Sequence, residues 1–241
     1  MISGVYNYCD RWCERCRLAD RCAIYDGGQD ADKTDFVEQL HKSFTETLQF
    51  LEETILAKGI QMPTPEENEA SLILLKEKEE AVKQKLLHKT SYQYTIQCRE
   101  WNKTHRHGIN EHLEILLKKV KMGILAKEIG IAEVKLFQDC WEIINWYEMF
   151  IYAKFDRALL GLENDEDLDE GFSKDSDGSA KIALIAAERS LQAWVKMYKK
   201  IPHLGDSMLP LMAKLQKIIE LGDSTFQNAR AFVRPGFDED V

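Results

Sequence analysis

Four cysteines fall within 14 residues of one another near the start of the chain, in the stretch YNYCDRWCERCRLADRC. Cys9, Cys13, Cys16 and Cys22 are separated by three, two and five residues. Soft ligands this close in sequence point to one metal or cluster site. Positions 9, 13 and 16 are four and three apart, so a helix would carry their thiols on one face. Cys22 then folds back as a fourth ligand. Four thiolates bring four negative charges. Arg11, Arg15, Arg17 and Arg21 are interleaved to offset them, and Tyr6, Tyr8 and Trp12 stand nearby as a shield from water.

Two alternatives use the same residues. A pair of disulfides needs an oxidising compartment, and with no secretory leader the sequence predicts a cytoplasmic protein. Cys13 and Cys16 form Cys-x-x-Cys, but a thioredoxin-like role expects a βαβ setting. The choice of metal rests on spacing. Zinc ligands usually come as two knuckles well apart in sequence, whereas four cysteines in one short segment are closer to iron–sulfur runs. A closed [4Fe–4S] cluster is therefore set ahead of zinc.

The Cys9, Cys13, Cys16 spacing also resembles the Cys-x3-Cys-x2-Cys run of radical S-adenosylmethionine enzymes. That resemblance covers eight residues and implies an α/β barrel with one open iron. This chain has a fourth cysteine and no barrel pattern, so the enzyme reading does not follow.

The remaining chain reads as helix. Only five of 241 residues are proline, and long stretches lack glycine. Val37, Leu40, Phe44, Leu48, Leu51 and Ile55 form a helical stripe over about Asp35 to Lys58. A second helix is expected from Glu66 to Lys103, with Leu72, Leu75, Val82 and Leu86 inward, closing near Gly108. A third segment starts at Asn110. The next stripe is Phe137, Trp141, Ile144, Ile151 and Phe155. Helices follow to about Ile201, with Leu184, Leu191, Val195 and Tyr198 inward, and from Ser207 to about Arg234. Residues 163–178 form an acidic loop without the EF-hand's glycine and glutamate register. The fold class expected is all-α: a bundle of four to five long helices over residues 31–241, preceded by a cysteine-rich metal module at 1–30, with a loose acidic tail.

Three polar residues interrupt the stripes. His41, Glu148 and Glu188 each need a charge, a hydrogen bond or a metal if buried. Glu38-x-x-His41 resembles the Glu-x-x-His unit of ferritin-like di-iron proteins. That resemblance implies a di-iron centre completed by Glu148 and Glu188, although the second Glu-x-x-His is missing. The alternative is plain pairing with Arg189, Lys154 or tyrosine hydroxyls. His105, His107 and Glu111 are expected at a bundle end. Cys98 and Cys140 read as small core residues.

A net charge of −9 argues against a general nucleic-acid surface, and no apolar run is long enough to span a membrane. No phosphate loop or nucleophile elbow occurs. The function expected is a metal-binding protein whose helical scaffold serves partner binding to another protein or electron transfer, without its own catalysis. The alternative is a di-metal oxidoreductase inside the bundle.

Overall fold

The computed structural model describes residues 1–2, 4–25, 36–59, 61, 63–162 and 175–238, with the side chains of 36–40 and 43 excepted. The described residues are mostly helical and include no strand. The α-helices are α1 (Phe36–Lys58), α2 (Pro65–Gln84), α3 (Leu86–Lys121), α4 (Lys127–Leu162), α5 (Asp175–Lys200) and α6 (Gly205–Thr225). Two compact units share the chain. One comprises Met1–Lys78 with Pro235–Val241, and the other Glu79–Arg234.

The second unit is a four-helix bundle. α3 packs on α4, α4 on α5, α5 on α6, and α6 back on α3, so the ring of contacts closes. Apolar residues at helical spacing dictate this. Tyr94, Cys98, Phe137, Ile144, Ile151, Phe155, Leu184 and Leu215 are all buried. Polar atoms on these large side chains find partners in the core. Trp194 Nε1 donates to the Tyr94 hydroxyl at 3.1 Å, and Trp101 Nε1 to Ser207 Oγ at 2.8 Å.

The α3–α4 corner shows local chemistry deciding topology. α3 ends where Gly123 takes a left-handed φ of 72°. Its N–H donates to Val120 O, and the Ile124 N–H donates to Lys119 O, the paired bonds of a Schellman motif. Only glycine takes that conformation freely. At the start of α2, Thr64 Oγ1 accepts from the Glu67 N–H at 3.2 Å, and Glu67 Oε2 accepts from the Thr64 N–H at 2.7 Å. This is a capping box.

Several expected boundaries move. The helix expected from Glu66 to Lys103 is broken at Lys85, which is extended at φ −64°, ψ 138°. Val82 and Leu87 are both buried, and five positions on an unbroken helix would set them about 140° apart, so the break re-phases the chain. Gly108 does not close a helix but lies inside α3, because Asn102, Ile109 and Leu116 continue one buried line at spacing seven. His105, His107 and Glu111 therefore sit along the shaft of α3 and not at a turn. Of the acidic stretch, residues 163–174 lie outside the described residues. Asp175 opens α5 and accepts a forked pair of bonds from Arg157. α6 stops at Thr225, and Phe226, Ala229 and Phe232 return to the core beyond it.

The stripes on α1 and α2 are not inward. Phe44, Leu48 and Leu51 are exposed, Ile55 is half-buried, and Leu72, Leu75 and Leu86 are exposed. Val37 and Leu40 lie outside the described side chains. On α5 the buried line runs through Ala183, Ala187, Trp194 and Met197, one position from the Leu191, Val195, Tyr198 line expected. No helix among the described residues is long and apolar enough to cross a membrane.

Candidate metal centre

The cysteine segment does not form the helix its spacing suggests. It folds as three short 3-10 turns, Val5–Tyr8, Cys13–Arg15 and Ala19–Arg21. Cys9, Cys16 and Cys22 stand in extended conformation at the exits of these turns, and Cys13 opens the middle one. Between Cys9 and Cys13 the chain reverses at Arg11, which takes a φ of 57°. Asp10 supports the reversal, its Oδ1 accepting from the Trp12 N–H at 3.2 Å. The reversal brings the residues on either side of it to one cavity.

All four cysteines line that cavity, which measures about 20 Å³ as the space open to the centre of a water molecule. Val5, Tyr6, Trp12, Leu18, Tyr25 and Phe237 supply its walls. Val5, Leu18 and Cys22 are buried, with Ile2, Tyr6, Tyr25 and Phe237 packed against them. Phe237 comes from the other end of the chain. The Arg17 guanidinium donates to its carbonyl at 2.6 Å, so residues 235–238 are bound to this unit and not loose as expected. Arg15 stacks over Trp12 at 4.1 Å.

The four cysteines are free thiols. Burial pushes the Cys9 thiol up, and a hydrogen bond from the Arg11 backbone N–H opposes this in part. Burial also raises Cys13, followed by the neighbouring Cys9, Cys22 and Cys16. The Leu18 N–H donates to Cys16 Sγ at 3.4 Å. Two sulfurs thus receive a backbone N–H from the residue two positions on. Bonds of this kind hold a thiolate in place and tune a metal bound to it.

As a donor set, four thiols around a shielded cavity suit a soft metal or an iron–sulfur cluster. Among the described residues, however, no group of three or more histidine, cysteine, aspartate or glutamate side chains is disposed to hold a metal ion. The expected metal module is thus described as a cysteine-lined unit.

The residues named for a di-metal centre are not assembled. The Glu38 side chain lies outside the described residues, and His41 is exposed. Glu148 accepts from Arg99 Nε at 2.6 Å, and Glu188 pairs with Arg230 at 2.7 Å. Arg189 donates to the Tyr147 hydroxyl at 2.8 Å. Arginine supplies the charge that the half-buried Glu148 needs. Arg99 was not foreseen as its partner, although Thr95 and Arg99 lie one turn apart on α3 and both donate to Glu148, the Thr95 hydroxyl to its backbone carbonyl and Arg99 to its carboxylate. Cys98 and Cys140 are buried as expected, and burial takes the Cys98 thiol up to about 12.

No protein-family model, curated protein or solved structure matches the chain.

Proposed function

We propose that Cys9, Cys13, Cys16 and Cys22 together hold one metal centre, a [4Fe–4S] cluster ahead of a zinc ion, which is structural or carries electrons to a partner protein. The observation that carries this reading is that four free thiols, contributed by three successive turns, line a single cavity. The sequence spacing is what places the cluster first: zinc ligands usually come as two knuckles well apart, whereas these four cysteines fall in one short segment, as in iron–sulfur runs. The backbone N–H bonds to Cys9 and Cys16 suit a sulfur that carries charge. A four-cysteine set fills every coordination position, so no vacancy remains for a substrate.

The test is metal content and colour of the full chain purified without oxygen. A brown protein whose visible absorbance bleaches on reduction, and which loses iron when any one of the four cysteines becomes serine, supports the cluster. A colourless protein with one zinc keeps the four-cysteine centre and removes the cluster. Protein that carries neither metal, with residues 1–25 equally protease-resistant in the quadruple serine variant, defeats the proposal.

A further inference from the structure

A second cavity lies between α3 and α4, within the bundle unit, and measures about 210 Å³. Its apolar walls are Ile109 and Leu113 on α3, with Phe137 and Trp141 on α4. Residues four apart share a helix face, so each helix contributes one matched pair. Polar groups edge the opening: Arg106 and Asn110, again four apart on α3, and Gln138 on α4. An apolar cavity of about 150 Å³ is enough to admit benzene, so this one holds a ring with a substituent.

The lining has a definite charge. Among the described residues, Arg106 is the only ionisable one in the lining, and no carboxylate lines the cavity. That is notable in a chain with 41 acidic and 32 basic residues. Arg106 has no hydrogen bond or ion pair among the described residues. Other arginines in the bundle are engaged: Arg99 with Glu148, Arg157 with Asp175, Arg189 with Tyr147, and Arg230 with Glu188 and Asp223. A guanidinium at the mouth of an aromatic cavity, beside two carboxamides, is a ready partner for a carboxylate.

We propose that the cavity between α3 and α4 binds a small planar anion, an aromatic or heteroaromatic carboxylate, with its ring against Phe137 and Trp141 and its carboxylate on Arg106. Asn110 and Gln138 add amide N–H donors at the rim. Apolar contact gives affinity that an uncharged analogue would share, and Arg106 gives the preference for the anion.

Calorimetric titration of the full-length protein tests this, with 2-naphthoate as probe and the uncharged 2-naphthalenemethanol as its control. The expected result is saturable one-to-one binding of the naphthoate, with the alcohol about tenfold weaker. Arg106→Gln, at an exposed position where folding is not at stake, should weaken naphthoate by about tenfold and leave the alcohol unchanged. Leu113→Trp fills the cavity, and with an unchanged melting transition it should abolish binding of both probes. Absence of saturable naphthoate binding up to about 5 mM overturns the proposal. So does equal affinity for acid and alcohol, or naphthoate binding that is unaffected by Arg106→Gln or by a folded Leu113→Trp variant.

Discussion

Gly236 tests whether the C-terminal segment is an integral part of the cysteine unit. Its φ of 71° lies in the left-handed region, and a Cβ built there would stand 2.8 Å from Ile2 Cδ1 and 3.2 Å from Leu18 Cδ1. Alanine therefore meets two costs. The left-handed backbone costs an L-residue about 1–2 kcal/mol. Crowding adds about 1 kcal/mol, because the Ile2 methyl can swing aside while Leu18, only 5% exposed, is held among Val5 and Cys22. The sum, about 2–3 kcal/mol, lowers the equilibrium constant for docking of residues 235–238 about 30- to 150-fold. Gly236→Asn separates the two costs: asparagine meets the same crowding but tolerates the left-handed region, so its loss should be nearer tenfold. Hydrogen exchange on the intact chain is the assay. The Ile2 N–H, bonded to Arg21 O, and the backbone around Leu18 should lose protection in the order glycine, asparagine, alanine. Exchange unchanged in Gly236→Ala, or equally accelerated by alanine and asparagine, would refute the reasoning.

Three further predictions concern the bundle. Gly222→Ala places a Cβ 2.8 Å from Leu184 Cδ2 and 2.9 Å from Phe155 Cζ, both fully buried, so urea unfolding should show a net loss of about 1–2 kcal/mol despite alanine's better helix propensity. Arg99→Met leaves Glu148, 13% exposed, without its cation and should cost about 1–3 kcal/mol, most of it restored by adding Glu148→Met; a double variant no more stable than Arg99→Met would contradict this. The Cys98 thiol, raised by burial and then by Glu148 to about 12, stays protonated in the fold while the unfolded chain ionises from its ordinary value of 9.0. Its contribution is intact below pH 9 and is lost as pH rises toward 12, at up to about 1.4 kcal/mol per pH unit. Cys98→Ala should therefore flatten the alkaline fall in stability measured by urea unfolding, leaving the share due to buried Tyr94, and an unchanged slope would count against it.

Much of the bundle was legible because burial there follows local periodicity. Phe137, Ile144, Ile151 and Phe155 lie on one line of α4 whatever they pack against, and all four are buried. Glycine was ambiguous. Gly108 and Gly123 carry the same signal, yet Gly123 ends α3 and Gly108 sits within it, since the buried line from Asn102 to Leu116 outweighs a propensity cost of about 1 kcal/mol. The break at Lys85 had no proline or glycine to announce it. It follows from where Val82 and Leu87 must point, which is a property of the assembled core. The stripe on α1 shows the converse limit. Periodicity marks a face that is apolar, and Phe44 and Leu48 show that such a face can remain exposed.

The cysteine segment misled for a related reason. Intervals of four and three satisfy a helix, but they equally satisfy a chain that turns back on itself, and side-chain spacing alone does not distinguish the two. The residues between the cysteines decide it. Asp10 bonds to the Trp12 backbone and Arg11 adopts a left-handed conformation, so the segment from Cys9 to Cys13 reverses where a helix would advance. A helix here would have carried few aliphatics to bury and little to hold it against chain entropy. The folded alternative gathers Val5 and Leu18 beneath the thiols and takes Phe237 from more than 200 residues away, a contact with no local signature. The cost of the raised Cys9 and Cys13 thiols then falls on the metal-free protein. Cys9 and Cys13 are held above their ordinary range, so a bound metal must displace protons, and binding should strengthen with rising pH. Proton release measured in weakly buffered solution during reconstitution with iron and sulfide, or with zinc, checks this directly: uptake without proton release would mean that these thiols are not the ligands.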